Sequence, residues 1–99
     1  MPVKPLPELD PIIHSRMRLG ILSILSAVKE ATFAYLKETL NATDGNLSAN
    51  INKLEAAGYI EVLKAFHGKR PVTTCRITEK GRAAFATYVE NLEKYYLGK

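Results

Sequence analysis

The sequence predicts a mostly helical α+β fold: three helices, a β-hairpin and a long final helix. Three observations carry this reading. Apolar residues recur at three- and four-residue steps over residues 12–28, 33–40, 45–57 and 79–97. β-forming residues lie over 59–66 and 72–77, on either side of a glycine-containing break, with apolar and polar positions alternating in the first run. A good capping residue stands before each helical stretch: Asp10, Thr32, Thr43 and Thr78.

The chain is 99 residues long, which suits one compact domain over residues 10–97. Pro2, Pro5 and Pro7 mark residues 1–9 as an extended N-terminal arm. With 46% hydrophobic and 24% charged residues, a folded domain with one core is favoured over disorder. The longest uncharged apolar stretch, Leu19–Val28, is far too short to span a bilayer, and the start of the chain is proline-rich rather than a basic run before an apolar one. A cytoplasmic protein with no membrane partner is expected.

Each element has its own grounds. Asp10 reads as an N-cap with Pro11 at the first helical position, opening a helix over Ile12–Val28 with the stripe Ile13, Met17, Ile21, Ile24, Leu25, Val28. Lys29, Glu30 and Ala31 form a break with room for a short strand. Thr32 caps Phe33–Leu40, whose inner face is Phe33, Leu36 and Leu40, and Asn41 tolerates the left-handed conformation that ends a helix. Thr43 caps the third helix, Gly45–Ala57, held inward by Leu47, Ile51 and Leu54 and ended by Gly58. The gap of about three residues between helices two and three is that of a helix-turn-helix joint. Tyr59–Phe66 and Val72–Ile77 read as strands joined by the loop His67–Pro71. Thr78 caps a last helix over Glu79–Leu97, ended by Gly98.

A helix-turn-helix followed at once by a β-hairpin is the winged-helix arrangement, in which one helix enters the major groove and the hairpin lies on the flanking backbone or minor groove. Charge agrees. The net charge is +4 and the pI about 9.3. Residues 64–82 alone hold Lys64, Lys69, Arg70, Arg76, Lys80 and Arg82 against the single acid Glu79, so the positive charge is concentrated around the hairpin.

Two segments resemble a known group. Thr43-Asp44-Gly45-Asn46-Leu47-Ser48-Ala49-Asn50-Ile51-Asn52-Lys53-Leu54-Glu55-Ala56-Ala57-Gly58-Tyr59-Ile60 is similar to the recognition-helix segment of MarR/ArsR-type winged-helix regulators, and the wing exit Thr74-Cys75-Arg76-Ile77-Thr78-Glu79-Lys80-Gly81 resembles theirs at the same distance. The likeness covers about residues 10–97 and implies a small standalone prokaryotic transcriptional regulator bound to double-stranded DNA. The cysteine and histidine sets of the metal-sensing members are absent, so metal sensing is not implied.

Within that frame the outward face of the third helix supplies base and phosphate contacts: Asn46, Ser48, Ala49, Asn50, Asn52 and Lys53. Asparagine can pair with adenine N6 and N7, a serine hydroxyl meets a base or phosphate, alanine fits a thymine methyl, and Lys53 suits a phosphate. Three asparagines are poor helix formers, so helix propensity does not explain them. Asp44 is a first-turn acid that favours the helix dipole, while Gly45 either permits close approach to DNA or serves a turn. On the wing, Lys69 and Arg70 suit phosphates or the minor groove, with His67 beside them. Arg76 reads equally as a phosphate contact or as the cross-strand partner of Glu61. Arg16 and Arg18 read as backbone contacts, as interface residues, or as partners of Glu8 or Asp10.

Phe85, Val89, Leu92 and Tyr96 follow a 4-3-4 spacing on the last helix, joined by Tyr88 and Tyr95. Such a helix exceeds what a winged helix needs, and with Ile13 and Met17 of the first helix it makes a candidate homodimer interface, as a palindromic operator requires. Cys75 reads as a small core residue, and a lone cysteine excludes an intrachain disulfide. There is no catalytic constellation, no metal-ligand spacing and no cofactor motif, so an enzyme is not expected. A small-molecule effector between dimerising helices is left open, since no residue pattern names a ligand. The alternative to a DNA-binding regulator is a winged-helix module that docks on protein in a larger complex.

Overall fold

A computed structural model describes residues 6–98. The elements run α1 (Arg16–Val28), β1 (Glu30–Thr32), α2 (Phe33–Leu40), α3 (Asp44–Ala56), β2 (Ile60–His67), β3 (Arg70–Ile77) and α4 (Glu79–Asn91), with α4 continuing as a π-helical turn over Leu92–Tyr96. The three strands form an antiparallel sheet in the order β1-β3-β2. This is the winged-helix fold expected from the sequence.

Local chemistry sets most boundaries. Thr32, Thr43 and Thr78 each accept the backbone N–H three residues on, at Tyr35, Asn46 and Gly81. Asn41 takes the left-handed conformation at the end of α2, and Gly58, with φ +80°, carries the chain out of α3 into β2. Leu47, Ile51 and Leu54 of α3 are buried with Ile21, Leu22 and Leu25 of α1, Leu36 of α2, and Ile60, Cys75 and Ile77 of the sheet. Cys75 is fully buried, and burial, with the Glu55 carboxylate nearby, pushes its thiol up to about 11. That fits the expected core role.

The start of α1 differs from expectation. Asp10 caps only a single turn, accepting Ile12 N at 2.9 Å through its side chain and His14 N at 2.7 Å through its backbone. The chain then leaves helical geometry, and Ser15 opens α1 at Arg16. This break turns Ile13 into the core, where it is fully buried.

The hairpin is tighter than expected. His67 and Arg70 already belong to the strands, leaving Gly68 and Lys69 as a two-residue turn. Of those two, only Gly68 has a positive φ (+68°), the pattern of a type II′ hairpin turn. Pro71 fits inside β3 because the His67–Arg70 pair is the hydrogen-bonded pair closing the turn, so the proline nitrogen at the next pair faces away from β2. On that side β1 pairs only with Thr74–Arg76, leaving an open edge where a missing N–H costs nothing.

The expected single helix over Glu79–Leu97 changes character at Leu92, where Leu97 N bonds Leu92 O at 2.9 Å in an i→i+5 step. The described chain is elongated, with a radius of gyration of 15.4 Å, against about 13 Å for a compact domain of this length. The arm expected over residues 1–9 falls partly outside the described residues. Its described end is fastened down: Tyr96 Oη donates to Pro7 O at 2.7 Å, and the Tyr59 hydroxyl donates to the Asp10 carboxylate. Partial burial and that carboxylate push Tyr59 up to about 12. Among the described residues no helix is long and apolar enough to cross a membrane.

Candidate nucleic-acid interface

With Leu47, Ile51 and Leu54 fixed in the core, α3 presents Asn46, Ser48, Ala49, Asn52 and Lys53 as exposed side chains. Asp44 in the first turn pairs with Lys37 of α2 at 2.8 Å, which offsets an acid on this face. Gly45 is also exposed, in ordinary helical conformation, and a Cβ built there meets nothing within 4 Å. No turn therefore requires it, and it costs the helix up to about 1 kcal/mol relative to alanine.

Asn50 is the correction on this helix. It was expected to face outward, but it is only 9% exposed and lies between α1 and α3. Arg18 Nη1 donates to its Oδ1 at 2.7 Å, while its Nδ2 donates to Asn46 O at 2.8 Å and Asn46 Oδ1 at 2.7 Å. Both its N–H groups and one lone pair of its carbonyl are spent inside the protein, and its burial keeps it from a base. Arg18 has a matching role. Its Nε donates to Ile12 O at 2.5 Å, so it secures the turn before α1 and pairs with neither Glu8 nor Asp10.

Strand alternation decides which wing residues face α3. Ile60, Val62, Lys64 and Phe66 of β2 share one face with Ile77, Cys75, Thr73 and Pro71 of β3. The root of that face is core. Past Val62 it emerges as the wall of a cleft of about 370 Å³ against α3, lined by Phe33, Asp44, Ser48, Ile51, Asn52, Val62, Lys64 and Thr73. Lys64 thus faces the same cleft as Ser48 and Asn52, a placement that charge counting alone did not reveal. The signal was in the sequence: Lys64 is two residues beyond Val62 and four beyond Ile60.

His67, Lys69 and Arg70 are exposed at the tip, Lys69 in the turn itself. Arg76 lies on the opposite face near the root. Its register neighbours are Glu61 on β2 and Glu30 on β1, and its Nε is 3.6 Å from Glu30 Oε2, so the ion pair forms with Glu30. Its charge is directed away from the α3 cleft.

The expected dimer residues separate into two sets. Ile13 is fully buried and Tyr88 is 4% exposed, both inside the protomer's own core. Tyr88 is held there by His14, whose Nδ1 lies 3.0 Å from its hydroxyl. Neither is available to a partner chain, because the turn before α1 packs on α4. Met17, Phe85, Val89 and Leu92 are half-buried against the core, Tyr95 is half-buried, and Tyr96 is 42% exposed. Phe85, Ala86 and Val89 form an open apolar groove with Glu90, Glu93 and Lys94 at its edges.

The helix-turn-helix with its basic hairpin has counterparts among known proteins. The family model of the winged helix DNA-binding domain matches residues 17–96. The chain belongs to this family. An uncharacterized protein of Methanocaldococcus jannaschii is 44% identical over 78 residues, covering 79% of this chain and 85% of that one. A structure described as a transcriptional regulator homologue from Pyrococcus horikoshii superposes with a TM-score of 0.82 at 30% identity, covering 88% of this chain and 86% of that one. The M. tuberculosis regulator MosR, solved with DNA, shares the fold at a TM-score of 0.70 and 20% identity, covering 87% of this chain and 61% of that one. Other chains with this fold are MarR-family regulators, in line with the resemblance read from the sequence.

Proposed function

We propose that this winged-helix protein is a sequence-specific DNA-binding transcriptional regulator that acts as a homodimer. α3 enters the major groove and the hairpin lies on the flanking backbone or minor groove. The observation that carries the reading is the cleft between α3 and the hairpin, where Ser48, Asn52 and Lys64 converge. Lys53 and the tip cations Lys69 and Arg70 extend the same cationic surface. Relatives described as transcriptional regulators, one of them bound to DNA, support it. Specificity falls to Asn46, Ser48, Ala49 and Asn52, and affinity to Lys53, Lys64, Lys69 and Arg70. Homodimerisation is supported by the apolar groove on α4, which the protomer itself does not fill.

The test is binding of random and selected duplexes at about 50 and 200 mM salt. The wild-type protein should bind both, more weakly at high salt, and prefer the selected duplex. Lys64→Ala should weaken both alike and reduce the slope of log K against log[salt] by about 0.9, the share of one phosphate contact. An unchanged slope would remove Lys64 from the interface. Failure of the wild type to bind any duplex at the lower salt would remove the function.

Gly45 adds a second expectation. Since the fold has no use for a glycine there, Gly45→Ala should raise stability by about 0.5–1 kcal/mol through helix propensity. DNA affinity should fall in the same variant, because the added methyl stands in open space on the exposed side of α3 that this reading turns to the duplex. Calorimetry and anisotropy measure the two effects separately, and a gain in stability with unaltered affinity would show that Gly45 does not approach DNA.

A further inference from the structure

We infer that Arg18 and Asn50 fix which end of the Asn46 amide is offered to DNA, so that Asn46 meets a hydrogen-bond acceptor there: a purine N7, guanine O6, thymine O4, or a phosphate oxygen. The inference rests on the DNA-binding reading above and adds the polarity of one contact.

The argument follows the protons. A guanidinium can only donate. Arg18 Nη1 lies 2.7 Å from one end of the Asn50 amide, so that end is the carbonyl, Oδ1. The other end is then Nδ2, which can only donate. It lies 2.8 Å from the backbone oxygen of Asn46 and 2.7 Å from the Asn46 side chain. The Asn46 atom facing it must accept, and so is Oδ1. What remains of Asn46 is Nδ2, with two N–H groups and, among the described residues, no hydrogen-bond partner. Asn46 is exposed in the first turn of α3, on a cleft it shares with Arg16 and Asn41, so this donor is open to a ligand.

The relay is hard to reverse. Asn50 is 9% exposed, and turning its amide over would set an N–H against the guanidinium and a carbonyl against the Asn46 oxygens. Adenine recognition by asparagine needs the carbonyl to accept from N6 while the amide donates to N7. With its carbonyl held inward, Asn46 presents only the donor half of that pair. A base atom that accepts suits it, and a base amino group does not.

Selection from a random duplex pool tests this with wild type, Asn46→Ala and Asn50→Asp. Asn46→Ala changes an exposed residue and leaves the buried Asn50 amide its bond to the backbone oxygen of residue 46, so the variant should fold. It should relax one base pair per half-site, and in the wild-type site a replacement there that removes an acceptor (7-deazapurine for N7, 2-aminopurine for guanine O6, 5-methyl-2-pyrimidinone for thymine O4) should weaken binding of wild type but not of Asn46→Ala. Loss of affinity on all sequences alike would identify the acceptor as a phosphate oxygen. Loss on removing the exocyclic amino group of adenine or cytosine there instead (purine or 2-pyrimidinone in its place), or no change in binding with Asn46→Ala, overturns the inference.

Asn50→Asp keeps the shape and the Arg18 contact but cannot donate to Asn46. The Asn46 amide then turns over, its carbonyl faces DNA, and the contact moves from a base acceptor to a base amino group, that of adenine N6 or cytosine N4. Affinity for the wild-type site should fall by about tenfold, with no further loss when the same change is made in Asn46→Ala. Equal losses in both backgrounds would mean that Asn50 acts only through the fold, and would overturn the relay. If Asn50→Asp does not fold, the Asn46→Ala selection still decides. A wild type that selects no duplex refutes the function itself, a result distinct from a wild-type site that Asn50→Asp reads unchanged.

Discussion

Gly81→Ala is expected to lower the melting temperature by at least about 10 °C, the loss of roughly 3 kcal/mol. A Cβ at residue 81 would lie 2.0 Å from the carbonyl oxygen of Tyr59 and 2.8 Å from its carbonyl carbon. These are backbone atoms, so no side-chain rotation relieves the clash. Relief requires the start of α4 to move off the root of β2. The same junction carries Thr78 N bonded to Tyr59 O at 3.0 Å, Thr78 Oγ1 bonded to Gly58 O at 2.7 Å, and the cap from Gly81 N to Thr78 Oγ1 at 3.0 Å. A shift large enough for a methyl group strains all three. The motif Thr78-Glu79-Lys80-Gly81 is thus a junction device: the threonine caps the helix and ties it back, and the glycine lets the helix come close enough for that tie. Thr78→Ala should cost less, about 1 kcal/mol, because it removes a cap without adding a clash. Thermal melts of both variants check this; a Gly81→Ala protein melting within about 2 °C of wild type would contradict the close approach.

Gly45 and Gly81 show how far the sequence could be read. Both begin helices, and sequence gives no ground for treating them differently. Only the fold shows that one is walled in by backbone and the other faces open space. What could be read ahead was local. The three threonine caps, the left-handed Asn41 and the terminating Gly58 depend on neighbours within a turn, and each stands where expected. The misreadings depend on long-range partners. Asn50 is drawn inward by Arg18, 32 residues away, and Tyr88 is held by His14, 74 residues away. α1 begins late because Ile13 is required in the core. Helical spacing identified an apolar face on α4 correctly, but spacing cannot distinguish a side chain that packs on its own domain from one that awaits a partner. Lys64 was missed for the opposite reason: charge drew attention to the loop, while strand alternation placed a cation on the wall of the cleft.

On the proposed homodimer, Ala86→Glu should leave the protein monomeric and reduce its affinity for a two-half-site duplex by about a hundredfold or more. Ala86 is exposed and lies in the groove with Phe85 and Val89, so the longer side chain does not disturb the protomer's core. In an interface it would place a charge against apolar surface beside Glu90 and Glu93, and burying an unpaired charge is costly. Its cost to the isolated helix is small, a few tenths of a kcal/mol from the like charge of Glu90 one turn on. The DNA effect follows from geometry. In the homodimer proposed above, two copies of α3 joined through α4 would engage two half-sites together, the second at the high effective concentration that linkage provides. A monomer has only one helix and one wing, so it should bind single half-sites nearly as well as before and lose only the gain from pairing. Thr87→Glu is the matched control. Its neighbours are Glu8, Asp10, Ala84 and Tyr88, on the other side of α4, and it should remain dimeric. Sedimentation equilibrium and anisotropy on one- and two-half-site duplexes give the outcome. An Ala86→Glu protein that keeps the dimer mass would move the interface off this groove, and one that is monomeric yet still binds the two-site duplex tightly would mean that DNA recognition needs only one copy.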